Sequence, residues 1–552
     1  MGTTEIRWTP TGGMDYSPGL SLLPACAMLP LMSEKPSIPR RFRLIRVLYS
    51  IGWWLIGPVC SAALMWAAFP PLSLWFVAWV GMVPLILSCH NTRKTDAFVK
   101  GWVSGFLFHF AAGILTIKAH PGMILVGPFL ALVWGGFCIL LNLLYKRGLP
   151  IGISCGLAWM VAESVKGLGP LAFPWLPLGS SQVPSVFLIQ GVAFWGTLGL
   201  SGLVASVNGA WVDLWMCRKE ARGDSLHRLG ALAVLLFAVL NAAWGLWCVV
   251  RRVPASESLT VAVVQPCIDG DIKWSGKEAA KILEIHLNLS QERLAEKPDL
   301  VIWPEGALGY DPKRPEALVP EAVRQWARER QIPILLGISY RDRIRGVSHN
   351  SATMVTRYGR LMGRYDKMKL LPLAETVPAG MERLASPNAR RFGYVPGARQ
   401  VVLRMPSCLG SGKRASHLGT YICFEALFPD VVRRLSCQGA EFLVHLSDEY
   451  WYQDRHASRM SLYLDVLRAV ETHRSVVRAA NAGPTCIIDP VGRIMVLLQD
   501  EQGKSCFIQG SLIGEVELQS DRTVFSRFGE SWYWALWMVT GLLLCRGRSE
   551  IR

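Results

Sequence analysis

The chain has 552 residues, with 58 Lys plus Arg against 41 Asp plus Glu and a formal charge of +17. Hydrophobic residues make up 51% and charged residues only 18%, where soluble globular proteins carry about 25% charge. The deficit argues against an ordinary cytosolic enzyme, and 22 Trp with 20 Phe exclude a disordered or fibrous chain.

In chain order, residues 1–45 read as a disordered N-terminal extension. They lack the basic start and small-residue cleavage site of a signal peptide, and the 13-residue run Leu20–Met32 is too short to span a bilayer. Residues 47–89, 121–145, 167–212 and 230–250 then contain no Asp, Glu, Lys, Arg or His. Charges are frequent from 251 to 529, and Ser531–Cys545 is uncharged again. A span needs about 20 mostly apolar residues. Eight candidate spans follow: 47–69, 73–90, 99–118, 122–145, 149–165, 187–212, 229–250 and 530–546. The chain therefore divides into an extension (1–45), a seven-span membrane domain (46–250), a soluble block (251–529) and a last span with its tail (530–552).

Basic residues set the orientation. Arg40, Arg41, Arg43 and Arg46 precede the first span, and Arg93, Lys94 and Lys100 lie between the second and third. Lys146, Arg147, Arg218, Lys219, Arg222, Arg228, Arg546 and Arg548 fall on the same side, whereas the opposite short loops hold only Lys118 and Lys166. Both termini are thus expected in the cytoplasm and the soluble block outside. Much of the +17 is a topology signal. The basic residues form no stripe, so no nucleic-acid partner is expected.

Fourteen Cys divide into eight in or near the membrane block and six in the soluble block, with no C-x-x-C pair and so no zinc or thioredoxin signature. His residues show no metal-ligand spacing, and His445, His456 and His473 read as surface or core packing. No G-x-G-x-x-G opens a strand–helix unit. No metal, nucleotide or flavin cofactor is expected.

The soluble block alternates strands and helices. Leu259–Cys267, Asp299–Trp303, Pro333–Ser339, Thr420–Phe424 and Glu441–Leu446 are continuous β-rich runs, the pattern of strands buried on both faces. Lys277–Ala295 and Ala457–Arg474 read as helices, and Thr485–Val496 as two strands around Asp-Pro-Val-Gly. This is an α/β domain. Three of its segments carry chemistry. Glu305 follows a strand in VIWPEG, Lys367 lies in YDKMKLLPLAE with Glu375 eight residues on, and Cys423 ends TYICFE with Glu425 two residues on. Singly, these are a loop Glu, a solvated Lys and a core Cys. Together they form an acyl-transfer set: a thiol nucleophile, a carboxylate base and a cation for the developing oxyanion.

On these motifs the soluble block resembles the nitrilase (carbon–nitrogen hydrolase) superfamily, and the whole chain resembles the bacterial apolipoprotein N-acyltransferase family. Also similar are VAVVQP, His349-Asn350-Ser351-Ala352, Arg468-Ala-Val-Glu471-Thr-His-Arg474, Asn481-Ala-Gly483 and Ile488-Asp-Pro-Val-Gly492. In the membrane part Ala68-Phe-Pro-Pro, Ala162-Glu163 and Phe173-Pro-Trp175-Leu-Pro-Leu-Gly179-Ser-Ser-Gln182 match as well. The resemblance implies an αββα nitrilase-like sandwich joined to an eight-span α-helical bundle in the bacterial inner membrane. It places the catalytic triad on Glu305, Lys367 and Cys423, with Glu375 and Glu425 as supporting residues. Trp175, Phe424 and Trp451 become candidates for acyl-chain contact. The implied reaction moves an acyl chain from a phospholipid, through a Cys thioester, to the α-amine of a diacylglyceryl-cysteine on an apolipoprotein. A monomer suffices, and membrane lipid is the surrounding partner.

Three departures from the family pattern stand out. Phe424 replaces Tyr, Leu373-Ala374 replaces Phe-Gly before Glu375, and Ser447-Asp448-Glu449-Tyr450-Trp451-Tyr452 replaces Ser-Asn-Asp-Ala-Trp-Phe. Extra negative charge in 447–452 is expected to raise the thiol pKa or to alter acceptor choice. Three competing readings follow: a membrane-tethered amidase with water as second acceptor, a divergent N-acyltransferase paralogue with another acceptor, and a transporter or scaffold with Glu163 as its main intramembrane charge.

Overall fold

The computed structural model describes residues 40–113, 126–219, 225–275, 277–308, 319–342, 344–377, 380, 382–384, 386, 389–390, 393–406 and 414–545. The expectations for 1–39, Lys118 and the tail beyond Cys545 lie outside them. The chain forms two units, Met1–Gly52 and Trp53–Arg552. The first is described only for the start of helix α1 (Arg40–Ala67), and everything below concerns the second.

The N-terminal block of the second unit is helical: α2 (Val83–Cys89), α3 (Lys94–Gly113), α4 (Val126–Tyr145), α5 (Ile151–Ser164), α6 (Val192–Lys219) and α7 (Ser225–Val250). Among the described residues three helical stretches, Val126–Tyr145, Leu188–Arg218 and Ser225–Val250, are long and apolar enough to cross a membrane. Only 11% of the most apolar stretch of α7 is buried inside the protein, so its Leu, Val and Trp side chains face outward. The expected second span departs from the reading of one continuous helix. It is a 3-10 turn, Trp75–Trp79, followed by the seven residues of α2, with Pro84 in the first turn of the helix. The 14 residues of α5 give a rise of about 21 Å, short of a hydrocarbon core of about 30 Å.

The block from Ser258 onward is built on two six-stranded sheets. The first runs β12-β1-β2-β3-β4-β5, with β1 (Ser258–Gln265), β2 (Leu300–Ile302), β3 (Ile334–Asp342), β4 (Val347–Val355), β5 (Leu361–Asp366) and β12 (Gly510–Glu517). The second runs β11-β10-β9-β8-β7-β6, with β6 (Val402–Met405), β7 (Ser416–Ile422), β8 (Phe442–Ser447), β9 (Val476–Ala480), β10 (Cys486–Ile488) and β11 (Ile494–Leu497). Each sheet has a parallel core, β1-β2-β3 or β7-β8-β9, flanked by antiparallel strands. The pleat sends alternate residues to opposite faces. Leu259, Val261 and Val263 meet Leu418, Ile422, Phe442, Val444 and Leu446 between the sheets. The short helix α8 (Gly270–Ser275) follows β1, and on the outer face of the first sheet Ala262 and Val264 pack with Leu289 of α9 (Ala279–Gln291) and Val323 of α10 (Glu321–Arg330). Tyr421 and Leu443 pack on the outer face of the second sheet against α11 (Pro429–Cys437) and α12 (Arg455–Thr472). Helices cover both outer faces, which is why both faces of the central strands are apolar. This is the expected αββα sandwich.

The two blocks are fastened by polar contacts to α12 and to the turn between β10 and β11. Thr197 of α6 donates its N–H and its hydroxyl to Glu471 Oε1, at 2.8 and 2.6 Å. Gln190 Nε2 donates to the Val491 carbonyl at 2.9 Å. Glu163 is tied to Lys166 at 3.2 Å and accepts the Leu178 N–H at 2.8 Å. That arrangement uses the charge on which the transporter reading rested.

One glycine is required by close approach. A Cβ on Gly337 of β3 would lie 2.6 Å from the Pro304 carbonyl and 2.7 Å from Glu305 Cα. Gly337→Ala is therefore expected to destabilise the protein by roughly 1–3 kcal/mol through overpacking and to displace Glu305. Thermal unfolding of the detergent-solubilised protein checks the first effect and turnover the second.

Candidate active site

The C-terminal ends of β2, β5 and β7 converge, and each is followed by one chemically active side chain. Pro304 ends β2 and delivers Glu305. Lys367 follows β5 directly, its N–H donating to the Asn350 carbonyl at 2.8 Å. Cys423 follows β7 and opens a 3-10 turn, Cys423–Leu427, with φ +48°. That left-handed backbone is unusual for a residue with a Cβ. Glu305, Lys367 and Cys423 line one cleft of about 380 Å³, together with Glu375, Asp448 and Trp451.

Lys367 is wholly buried and lies between two carboxylates. Its Nζ is 2.8 Å from Glu375 and 3.6 Å from Glu305 Oε1. Asn350 Nδ2 bridges the same pair, donating to Glu305 Oε1 at 2.7 Å and Glu375 Oε1 at 2.8 Å. Glu305 Oε2 is buried and has no hydrogen-bond partner among the described residues, which leaves it free to accept a proton. Burial would lower the Lys367 pKa, but Glu375, Glu305 and Cys423 outweigh it and drive it up, so the ammonium persists. Burial also lifts Glu305 above its ordinary 4.5, against the pull of Lys367. Burial first, then the charge of Glu305, pushes the Cys423 thiol well above 9.0, with Lys367 pulling the other way. Cys423 therefore rests as the thiol, and acting as a nucleophile would require a base to take its proton.

The two supporting Glu residues differ. Glu375 touches Lys367 directly and accepts the Leu371 N–H at 2.8 Å. Glu425 touches no triad side chain. It accepts from Tyr365 Oη (2.7 Å), Met368 N (2.7 Å), Lys369 N (3.2 Å) and Ile422 N (2.8 Å). It therefore staples the Lys367 loop to the Cys423 turn.

The altered 447–452 loop carries its acids paired. Asp448 is 2.7 Å from Lys273 Nζ, which also donates to the Glu305 carbonyl at 2.7 Å. Glu449 pairs with Arg478 and accepts from Ser447 Oγ at 2.6 Å. Glu449 raises the thiol, as expected from the sequence, but it ranks behind burial, Glu305 and Glu375. Phe424, Trp175, Trp451 and Tyr452 line a narrow apolar slot together with Cys423, and the Phe173 ring lies 5.6 Å from that of Phe424, tilted by 30°. Phe173 and Trp175 come from the N-terminal block, so the slot is shared by the two blocks.

Sequence reasoning passed over two residues. Lys273 sits in a short helix with no motif around it, and Asn350 was only part of a motif. His445 is buried, as the core reading expects, and both its ring nitrogens are engaged, with Asp465 and with the Cys423 carbonyl. His473 fits the surface reading, partly exposed and 2.5 Å from Asp521.

The carbon–nitrogen hydrolase family profile matches residues 260–522, and the profile for the N-terminal domain of apolipoprotein N-acyltransferase matches 61–210. The apolipoprotein N-acyltransferase of Geobacter metallireducens is 29% identical over 527 residues, covering 91% of this chain and 95% of its own. That of Gloeobacter violaceus is 26% identical over 550 residues, covering 94% and 97%. Among solved structures, an amidase from Nesterenkonia sp. aligns at 18% identity and a TM-score of 0.35, over 50% of this chain and 96% of that one. The second block is a carbon–nitrogen hydrolase domain, and the protein is an acyltransferase. The chain as a whole belongs to the apolipoprotein N-acyltransferase family.

A raised Glu305 pKa has a kinetic consequence. A Glu305 that serves as base must be ionised to accept the thiol proton, so the rate of Cys423 alkylation should fall as pH drops through a value above 4.5. Glu305→Gln should remove that acid limb and slow the alkylation of Cys423 by iodoacetamide roughly 10²–10⁴-fold at neutral pH. Equal alkylation rates in the two proteins would exclude Glu305 as the base.

Proposed function

We propose that this chain transfers an acyl group from a membrane phospholipid to the α-amine of a diacylglyceryl-cysteine at the N-terminus of an apolipoprotein, with Glu305, Lys367 and Cys423 as the catalytic residues. The observation that carries the reading is their convergence in one cleft that continues into an apolar slot shared with the N-terminal block.

In the first step Glu305 Oε2 takes the thiol proton as Cys423 Sγ attacks the ester carbonyl carbon. Lys367 Nζ stabilises the oxyanion. The ester C–O bond breaks, and the lyso-phospholipid alkoxide leaves with the proton from Glu305. In the second step the amine attacks the thioester and gives a proton to Glu305. The C–S bond breaks, an amide remains, and Cys423 regains its proton. Thioesters react with amines more readily than oxygen esters do, which suits Cys over Ser here. Phe424, Trp175 and Trp451 would hold the acyl chain. Glu375 keeps Lys367 charged and placed, and Glu425 holds the two loops together.

Both substrates are lipid-anchored. The eight-span topology, with both termini in the cytoplasm and the catalytic block on the periplasmic side of the inner membrane, would orient the site toward them and replace a three-dimensional search by a two-dimensional one. The relatives that match nearly the whole chain bear the name of this activity.

Cys423→Ala is expected to abolish transfer while the protein still inserts in the membrane. Incubation with phospholipid alone should add an acyl mass to the Cys423 peptide, removable by hydroxylamine. An unmodified peptide would count against the thioester. Release of free fatty acid in place of acylated peptide would favour water as acceptor.

A further inference from the structure

Behind the nucleophile lies a buried polar row that the acyl-transfer steps do not use. Tyr421, His445 and Arg478 are register neighbours across β7, β8 and β9. Asp465 of α12 meets all three. Tyr421 Oη donates to it at 2.7 Å, His445 Nδ1 lies 2.8 Å from Oδ2, and Arg478 pairs with that same oxygen. All four residues are wholly buried. Burial would raise the Asp465 carboxyl, but His445 and Arg478 outweigh it and hold it at about 2. The carboxylate is therefore a fixed charge against which the imidazole is oriented.

The other face of that imidazole reaches the active site. His445 Nε2 is 3.1 Å from the Cys423 carbonyl oxygen. A carbonyl only accepts, so Nε2 carries a proton and donates it. The bond fixes the peptide plane that follows Cys423, the residue whose φ is +48°. A left-handed residue with a Cβ persists only where its surroundings hold it. Glu425 holds the strand side of this turn through the Ile422 N–H, and His445 holds the other side.

We propose that His445 is a positioning residue for acyl transfer: its Nε2–H locks the Cys423 carbonyl, and with it the left-handed turn that presents Sγ to the cleft, while Asp465 fixes the ring. The proposal rests on Cys423 being the nucleophile, as read above. His445 touches neither substrate nor the reacting sulfur and acts only through the backbone of Cys423.

His445→Phe is the discriminating variant. It keeps the ring that stacks on Tyr421, 4.6 Å between centroids and 13° from parallel, and removes both ring nitrogens, with them the Nε2–H donor. His445→Gln restores an amide N–H close to the position of Nε2. The full-length protein in mixed micelles of phospholipid and diacylglyceryl-cysteinyl peptide gives kcat and KM. Iodoacetamide gives the alkylation rate of Cys423, and thermal unfolding reports integrity. A small displacement of a reacting group costs on the order of 10²-fold in rate. H445F is expected to lower kcat by about 10–100-fold at unchanged KM, with a parallel fall in alkylation rate and the melting temperature retained. H445Q should recover most of both rates. A folded H445F with wild-type kcat overturns the proposal, as does an H445Q no faster than H445F. Should H445F not fold, Asp465→Asn decides: it leaves the Nε2 donor but frees the ring, so kcat should fall at unchanged KM, and a wild-type kcat overturns the proposal. Cys423→Ala, measured alongside, separates the two readings. Transfer surviving in C423A defeats the nucleophile, whereas an inert C423A beside an unaffected H445F defeats only the positioning role.

Discussion

One buried ammonium held between the buried carboxylate of Glu305 and the partly buried carboxylate of Glu375 organises this molecule. Removing an ion from water costs several kcal/mol even after relaxation, against a gain of roughly 0–1 kcal/mol for an exposed pair. Lys367 can be wholly buried only if Glu375 and Glu305 are brought to it and Asn350 ties the two carboxylates together. These four side chains come from the end of β2, from β4, from the end of β5 and from the loop after it. The first sheet must therefore be assembled in register before the charge is tolerable. The same arrangement leaves Glu305 Oε2 without a hydrogen-bond partner among the described residues, in the cleft that Cys423 also lines.

Cys423 is held by a different device. Cys423 sits at a sharp turn in a disfavoured backbone conformation, and a second buried carboxylate, Glu425, joins that turn to the lysine loop through three backbone N–H groups and Tyr365. Backbone strain of this kind is kept where surrounding contacts over-determine it. The thiol stays protonated at rest because burial and neighbouring carboxylates oppose the thiolate.

The N-terminal block contributes to the site as well as anchoring it. Phe173 and Trp175 close the apolar slot beside Phe424 and Tyr452, while Thr197 and Gln190 receive α12 and the β10–β11 turn. A hydrolase domain of this class without that block would lack one wall of the slot. This physical coupling gives the two family matches in one chain a common purpose.

The division into apolar and charged blocks was legible in the sequence because charge cannot be placed freely in lipid, and composition alone reports it. The strands β1, β2, β3, β7 and β8 were legible because burial on both faces leaves continuous Val, Ile and Leu. So were Glu305, Lys367 and Cys423, each just beyond such a run. The edge strands β5, β6 and β12 were not, since half-exposed antiparallel strands carry mixed residues, nor was β4, which is largely buried but carries His349, Asn350, Ser351 and Thr353. Nor were the partners of the buried charges. Lys273 meets Asp448, Arg478 meets Glu449, and His445 meets the Cys423 carbonyl. These pairs are far apart in sequence, or in Tyr421, His445 and Arg478 aligned only by strand register. The sequence by itself determined which residue types were available at each strand end. Only the tertiary structure decided which of them share a low-dielectric interior, and there every charge has to find its counter-charge or hydrogen-bond partner.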